Sequence, residues 1–161
     1  MKFTKLFAAA GVLSFVASAA AFAQTATQIV TFQVNAINQI SVAGAPSLTI
    51  NTAVAGSAPT SVTDNVSTWA VTTNQSTAKI TGSLSAAMPA GLTLSANLAA
   101  PAGASSAGLT ALSAGAVDLV TGITKLNASG LGLTYQLDAT AAAGVVASST
   151  RTVTYTITGG V

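Results

Sequence analysis

The sequence predicts an all-β fold of about eight or nine short antiparallel strands in one domain. Many short stretches alternate apolar and polar residues, with the period of two that places every second side chain on the same face of a strand. Gly, Pro, Asn and Ser separate these stretches at spacings of roughly 8–12 residues, which is typical of a sandwich or barrel. After residue 23, no stretch sustains the 3.6-residue period of an amphipathic helix.

Residues 1–23 have the organisation of a secretory signal peptide. Two lysines lie within the first five residues, an apolar run covers residues 6–20, and Ala21-Phe-Ala23 supplies a small-x-small cleavage sequence. The apolar run is short for a membrane-spanning helix, although a retained N-terminal anchor is the alternative interpretation. We therefore expect a secreted protein that crosses the periplasm to the cell surface or exterior, with one β-sandwich domain at residues 24–161 and no membrane insertion.

Five alternating stretches predict strands in the first part of this domain. They cover residues 27–36 with a continuation to Val42, and then residues 48–50, 67–73, 80–84 and 92–98. One face of the first stretch carries Val30, Phe32, Val34 and Ala36. In the third stretch, Trp69 and Val71 point inward, and turns are expected at residues 74–76 and 89–91 because Asn, Pro and Gly favour turn conformations.

The C-terminal part ends in two long alternating strands. Their apolar faces carry Leu131, Leu133, Tyr135 and Leu137 in one strand and Val153, Tyr155 and Ile157 in the other. A turn at residues 127–130 precedes them and a Gly-containing connection joins them, so we expect a hairpin. Residues 99–108 indicate a loop, whereas residues 109–123 fit strands or a short helix equally well. One continuous core is expected to contain Phe32, Trp69, Leu94, Leu133, Tyr135, Val153 and Tyr155.

Removal of residues 1–23 leaves a chain that is formally neutral. The remaining charged residues are Lys79, Lys125, Arg151, Asp64, Asp118 and Asp138. A neutral chain offers no electrostatic basis for binding nucleic acid, and a charge-poor surface has little colloidal repulsion and tends to associate. The sequence therefore favours an assembly of copies of the chain. A monomer kept soluble by its Ser and Thr hydroxyl groups is the alternative.

The residue types that enzymes and metal sites need are scarce. The chain contains no His, Cys or Glu, so a histidine-dependent triad and a zinc site lack their essential groups. Lys79 follows Ser76 at a Ser-x-x-Lys spacing, which a serine-rich chain can contain by chance, whereas Lys125 does not lie in such a pattern. The three aspartates are not spaced as calcium ligands. We expect no catalytic residues, no metal and no cofactor. Trp69 could in principle form a sugar-binding platform, but its place in an alternating row favours a core position.

The two ends of the chain resemble the pilin subunits that a chaperone and usher assemble into bacterial fimbriae, and the related spore-coat-U-like secreted proteins. The similar segments are Ile29-Val-Thr-Phe-Gln-Val34, Ile40-Ser-Val42, Leu133-Thr-Tyr-Gln-Leu137, Ala143-Gly-Val-Val146 and Arg151-Thr-Val-Thr-Tyr-Thr-Ile157. The chain departs from that family in lacking its cysteine pair and in ending with Gly159-Gly-Val161.

This resemblance implies an incomplete immunoglobulin-like sandwich, completed by the N-terminal segment of a neighbouring subunit. It implies subunit-pairing roles for Val30, Phe32, Val34 and Ala36 as donor residues and for Val153, Tyr155 and Ile157 as acceptor residues. The implied partners are other copies of the chain and a periplasmic chaperone. We therefore expect a structural subunit of an extracellular fibre or surface layer. The alternative is a secreted monomeric binding module, for example for carbohydrate, that exposes Trp69 or a tyrosine.

Overall fold

The computed structural model describes residues 23–160, so the predicted signal peptide lies outside the described residues except for Ala23. The chain divides into two compact units, Met1–Gln33 and Val34–Val161. In the first unit, the described residues 23–33 form no strand. The side chains of Ile29, Val30 and Phe32 are exposed there, with 95%, 71% and 89% of their surface accessible.

All strands of the described residues lie in the second unit. They are β1 Asn38–Ala43, β2 Val62–Thr73, β3 Ala78–Leu84, β4 Leu92–Leu98, β5 Ser105–Ser106, β6 Thr110–Ala111, β7 Val117–Ile123, β8 Leu126–Ala139 and β9 Val153–Thr158. A single 3₁₀ turn, Ala141–Ala143, is the only helical element within residues 23–160. The all-β prediction is confirmed, and residues 109–123, which fitted strands or a helix equally well, contain β6 and β7 and no helix.

The strands form two antiparallel sheets. The five-stranded sheet has the order β1-β2-β8-β4-β6 and the four-stranded sheet has the order β5-β7-β3-β9. Strand β1 is therefore at one edge of the first sheet, and β9 is at one edge of the second. Among the described residues, β9 is paired on one side only, with Val153 opposite Leu84 and Thr158 opposite Lys79 on β3.

The apolar rows of both sheets meet in one core. The largest completely buried apolar side chains are Trp69, Val71, Ile80, Leu98, Leu119, Val120, Ile123 and Leu133. The predicted core positions of Trp69, Leu94, Leu133 and Tyr135 are confirmed, whereas Val153 and Tyr155 are partly buried against the same cluster. The indole Nε1 of Trp69 has no hydrogen-bond partner among the described residues, so this side chain stabilises the fold by packing.

Two predicted strands are absent from the described structure. Residues 27–36 form no strand, and Phe32 is exposed instead of belonging to the core. Residues 48–50 also lie outside the strands; beyond them, a single isolated bridge joins Ala53 and Pro59. Alternation shows that a segment could cover an apolar surface, but a strand also needs a ladder of backbone hydrogen bonds to a neighbouring strand, and within residues 23–160 neither segment belongs to such a ladder.

The turn predicted at residues 127–130 is wrong, because these residues belong to β8. Strand β2 pairs Trp69 with Leu131 and Val71 with Ala128, so β8 contains one more residue than β2 between the paired positions. Gly130 has φ of 66° in this bulge. A glycine with positive φ is as compatible with a β-bulge as with a turn, and the pairing of both neighbours decides between them.

The predicted C-terminal hairpin is also wrong. Strand β8 pairs with β2 and β4, whereas β9 pairs with β3 in the other sheet. The connection at residues 140–152 crosses from one sheet to the other. Both strands direct their apolar rows into the core, and they therefore face each other through the core instead of sharing an edge.

Candidate functional site

The edge strands β1 and β9 run next to each other without pairing. Some of their Cα atoms lie within 8 Å, yet the two strands belong to different sheets. At one end, Gly159 follows β9 and packs against Asn38, the first residue of β1; a Cβ atom at Gly159 would overlap the Asn38 side chain. A Cβ atom at Gly160 would overlap the carbonyl oxygen of Ser76. This end of the boundary between the sheets is therefore closed.

The opposite end is open. Between residues 42–48 and residues 149–155 there is a cavity of about 360 Å³. It adjoins a second cavity of about 610 Å³, with which it shares Leu48, Met88, Leu137 and Ser149. We call the two cavities together the groove, which is flanked by residues 46–53 on one side and residues 146–152 on the other.

The floor of the groove is apolar and partly uncovered. Its floor residues are Leu48, Met88, Leu92, Leu94, Tyr135, Leu137, Val153 and Tyr155. Neither flanking segment contains a strand residue in the described structure. Among the lining residues that the structure describes, Arg151 is the only charged one, and its guanidinium group donates hydrogen bonds to the carbonyl oxygens of Ala87 and Thr150.

Two tyrosines connect the sheets at the groove. The hydroxyl groups of Tyr135 on β8 and Tyr155 on β9 are 2.7 Å apart and share a hydrogen bond. Burial raises the pKa of both phenols above the usual value of 10.0, and for Tyr155 the bond to Tyr135 raises the pKa further. A phenol with the usual pKa is already protonated at neutral pH, and the raised pKa values extend the protonated range of both hydroxyl groups, and thus of this hydrogen bond, to more alkaline pH.

The predicted acceptor residues are only partly assembled into this site. Val153 and Tyr155 line the groove, whereas Ile157, closer to the closed end, does not. The predicted donor residues lie in the N-terminal segment, where Val30, Phe32 and Val34 expose 71%, 89% and 78% of their surface and Ala36 is exposed as well. Exposed large apolar side chains in a row are unusual for a soluble chain and indicate an interaction surface.

The three aspartates weighed as possible catalytic or calcium-binding residues each have a hydrogen-bond or ion-pair partner. Asp64 accepts hydrogen bonds from the backbone N–H groups of Ser47 and Val66. Asp118 forms a surface ion pair with Lys79 at 2.9 Å. Asp138 accepts hydrogen bonds from Gln136 and from the Ser61 hydroxyl group. These contacts hold loops and strand ends in place.

Sequence reasoning assigned every floor residue except Met88 to a predicted strand, but it did not show that these residues would border a groove. Leu137 was identified as an inward residue and Leu48 as a strand residue, but nothing showed that both would remain partly uncovered. Met88 precedes the turn at residues 89–91 and lies in no alternating row, so the sequence carries no signal for it. Trp69 is 1% exposed, which excludes it as a sugar-binding platform.

Within residues 23–160 there is no helix with the length and apolar character needed to cross a membrane. The same residues contain no group of three or more acidic, His or Cys side chains placed to hold a metal ion. Comparisons with protein-family models, curated proteins and solved structures find no match for this chain.

Proposed function

We propose that this protein is a structural subunit of an extracellular fibre or surface layer. Copies assemble by β-strand complementation, in which residues 24–36 of one copy lie in the groove of the next. The observation that carries this proposal is the presence of two complementary apolar surfaces in one chain. The apolar floor of the groove is partly exposed, and the N-terminal segment carries a row of exposed apolar side chains that could cover it.

The dimensions of segment and groove support this proposal. Residues 29–36 contain the apolar row, and as an extended strand they would span about 26 Å at roughly 3.3 Å per residue. The flank at residues 46–53 contains the same number of residues. An inserted strand would supply main-chain hydrogen bonds to the two flanks, neither of which belongs to a sheet within residues 23–160, while alternate side chains fill the floor.

The chemistry of the two surfaces also agrees. Residues 24–37 contain no charged side chain, and Arg151 is the only charged residue among the described lining of the groove. Burying a Val or Phe side chain contributes about 1.5–3 kcal/mol relative to leaving it exposed. Val30, Phe32 and Val34 together would therefore supply a substantial part of the association energy, and the inserted segment would bring no charged side chain into the groove.

Under this proposal the two sheets form an immunoglobulin-like sandwich that lacks one strand. The segment at residues 1–23 serves as a cleaved export signal, and the protein reaches the cell surface through the periplasm. A periplasmic chaperone that covers the groove before assembly would prevent the exposed floor from aggregating. The partners are therefore other copies of the chain and, during export, a chaperone.

The test compares Phe32→Asp with Thr31→Asp. The two variants carry the same charge on neighbouring residues, but only position 32 belongs to the apolar row. An unpaired charge in an apolar groove costs several kcal/mol, so Phe32→Asp should abolish assembly and Thr31→Asp should preserve it. Sedimentation and electron microscopy of the purified proteins measure assembly, and thermal melts establish whether each variant remains folded.

As dissociated subunits, both variants should have the same melting temperature as the parent, because Phe32 is exposed in the single chain. If Phe32→Asp or deletion of residues 24–36 unfolds the subunit, the segment is an internal strand instead of a donor. A parent protein that remains monomeric at every concentration and shows no fibres by microscopy would refute the fibre proposal.

A secreted binding module remains the second candidate, and the observation in its favour is the larger cavity. This cavity of about 610 Å³ carries hydroxyl and amide side chains from Thr49, Asn51, Ser148 and Ser149 along its flanks. Such groups would suit a neutral ligand such as a carbohydrate. A monomeric parent that binds glycans in an array and loses binding with Asn51→Ala would support this candidate over the fibre subunit.

A further inference from the structure

We propose that the groove of the unassembled subunit binds a fatty acid. Arg151 and the Tyr135–Tyr155 pair hold its carboxylate, and its alkyl chain lies along the apolar floor. The feature that leads to this site is one that the proposed function does not explain. The described lining of the groove contains a positive charge, whereas residues 24–37 contain no charged side chain. An inserted segment would therefore leave Arg151 without an anion.

Arg151 extends the inward row of β9. It precedes Val153 and Tyr155 at the spacing of two that places side chains on one face. The Ser85 N–H group donates to the Thr152 carbonyl oxygen at 2.9 Å, and the Thr152 N–H group donates to the Ser85 hydroxyl group at 3.1 Å. These bonds continue the pairing with β3 beyond Val153. They hold the chain in place where Arg151 lines the same cavity of about 360 Å³ as the two tyrosines.

The positive charge of Arg151 has no counterion among the described residues. Its Nε and Nη1 atoms donate to the carbonyl oxygens of Ala87 at 3.1 Å and Thr150 at 2.8 Å, whereas Nη2 makes no hydrogen bond within residues 23–160. None of the three aspartates pairs with it, since their partners lie elsewhere. Arg151 is also partly buried, and charges taken out of water are normally paired with an opposite charge. The cavity therefore favours an anionic group.

The tyrosine pair offers a further hydrogen-bond donor. The hydroxyl groups of Tyr135 and Tyr155 share one hydrogen bond of 2.7 Å, which uses one of their two protons. The second proton has no acceptor among the described residues. A guanidinium N–H group and a phenol O–H group in one cavity suit the two oxygens of a carboxylate. A single positive charge matches a carboxylate better than a phosphate monoester, which carries more than one negative charge at neutral pH.

The rest of the groove suits an alkyl chain. The cavity of about 360 Å³ adjoins the cavity of about 610 Å³, and Leu48, Met88 and Leu137 line both. Sites for small molecules typically measure about 300–1,000 Å³ and combine apolar walls with a few polar groups. Methionine is unbranched and flexible, so Met88 can adapt to an alkyl chain. The ligand is therefore an amphiphile with its carboxylate near Arg151 and its chain directed towards Leu92.

The test measures how well laurate, dodecanol and octanoate displace the fluorescent probe dansyl-undecanoic acid from dissociated subunits. Laurate and dodecanol have chains of equal length and differ in the headgroup. Laurate should bind roughly tenfold more tightly, because hydrogen bonds between ions are about twice as strong as neutral ones. Octanoate lacks four of the CH₂ groups of laurate and should bind roughly a hundredfold more weakly, because each buried CH₂ group contributes to binding.

Two variants with the same change of charge locate the site. Arg151→Gln should weaken laurate binding roughly tenfold and leave dodecanol binding unchanged, because only the carboxylate interacts with the charge. Lys125→Gln is the matched control, since Lys125 does not line the groove, and it should bind laurate like the parent. Thermal melts establish that each variant is folded. If Arg151→Gln does not fold, Tyr155→Phe replaces it and should weaken the binding of laurate but not of dodecanol.

Several outcomes would overturn this inference. They are equal affinities of the parent for laurate and dodecanol, equal losses in Arg151→Gln and Lys125→Gln, and a parent that does not bind the probe. Ligand and inserted segment need the same floor, so laurate should also inhibit assembly of the parent. Laurate that binds without inhibiting assembly would lie outside the groove, which contradicts the inference as well.

Failure of this inference is distinguishable from failure of the proposed function. A subunit that assembles but does not bind laurate when dissociated overturns the inference and leaves the fibre proposal intact. A subunit that binds laurate through Arg151 but never assembles supports the inference and refutes the fibre proposal.

Discussion

The core and the groove are built from the same strands, yet one is closed and the other is not. Strand β8 contributes to both: Leu133 is completely buried, whereas Leu137, on the same face four residues later, is partly exposed in the groove. The apolar row of β9 likewise covers the core only partly. This difference shows that alternation selects the inward face of a strand, whereas burial depends on whether another segment lies across that face.

The largest loss of stability is expected from a substitution in the core, at Trp69. Trp69 is 1% exposed and packs without a hydrogen bond from its Nε1 atom. Replacement with alanine leaves a large cavity, and Trp69→Ala should lower the free energy of unfolding by about 3–5 kcal/mol. Urea denaturation of the dissociated subunit measures this loss. A variant as stable as the parent would show that the described core does not hold the fold together.

A matched pair on β8 compares the two regions directly. Leu133→Ala should cost about 2–5 kcal/mol, because the cavity it creates lies in a completely enclosed core. Leu137→Ala removes the same atoms from a position that water already reaches, so its cost should be at most about half as large. Urea denaturation of dissociated subunits measures both.

Leu133→Ala and Leu137→Ala should also differ in their effect on assembly. If a neighbouring copy covers the groove, Leu137→Ala should weaken assembly, as measured by sedimentation, while Leu133→Ala acts on folding. Equal losses of subunit stability for the two variants would mean that the groove is already closed in the single chain.

The smallest loss of stability is expected for the hydrogen bond between Tyr155 and Tyr135, at the boundary between core and groove. Tyr155→Phe removes the hydrogen bond to Tyr135 and should cost about 1 kcal/mol at neutral pH. The pKa of both phenols is raised by burial above 10.0, the value expected in the unfolded chain. Ionisation therefore favours the unfolded state, so stability should not depend on these groups below pH 10 and should decrease as the pH rises above it.

Urea denaturation between pH 8 and pH 11 measures this dependence, and Tyr155→Phe should decrease it because one of the two phenols is gone. The difference between the parent and Tyr155→Phe isolates the tyrosine contribution, because all other titratable groups are the same in both proteins. An identical alkaline loss of stability in parent and variant would show that Tyr155 is not buried enough to resist ionisation.

The individual strands were largely predictable, whereas their neighbours were not. Strands β2, β3 and β4 each place alternate residues on the inward face, and the sequence shows that period directly. The pairing of β8 and β9 with different strands was missed because alternation carries no information about which strand lies alongside. The predicted acceptor residues Val153 and Tyr155 do line the groove, but the opposite flank at residues 46–53 comes from a distant part of the chain.

The sequence by itself determined the fold class, the apolar face of each strand and the lack of charge, because these depend on residue type and on a spacing of two. The tertiary structure decided which of those faces are covered. Whether Gly130 forms a turn or a bulge, whether Leu137 is enclosed and whether residues 29–36 find a partner all depend on contacts between segments far apart in the chain. The local pattern cannot specify such contacts, because the same alternating strand is compatible with several neighbouring strands. It is stabilised only when it pairs with one of them and packs its apolar face.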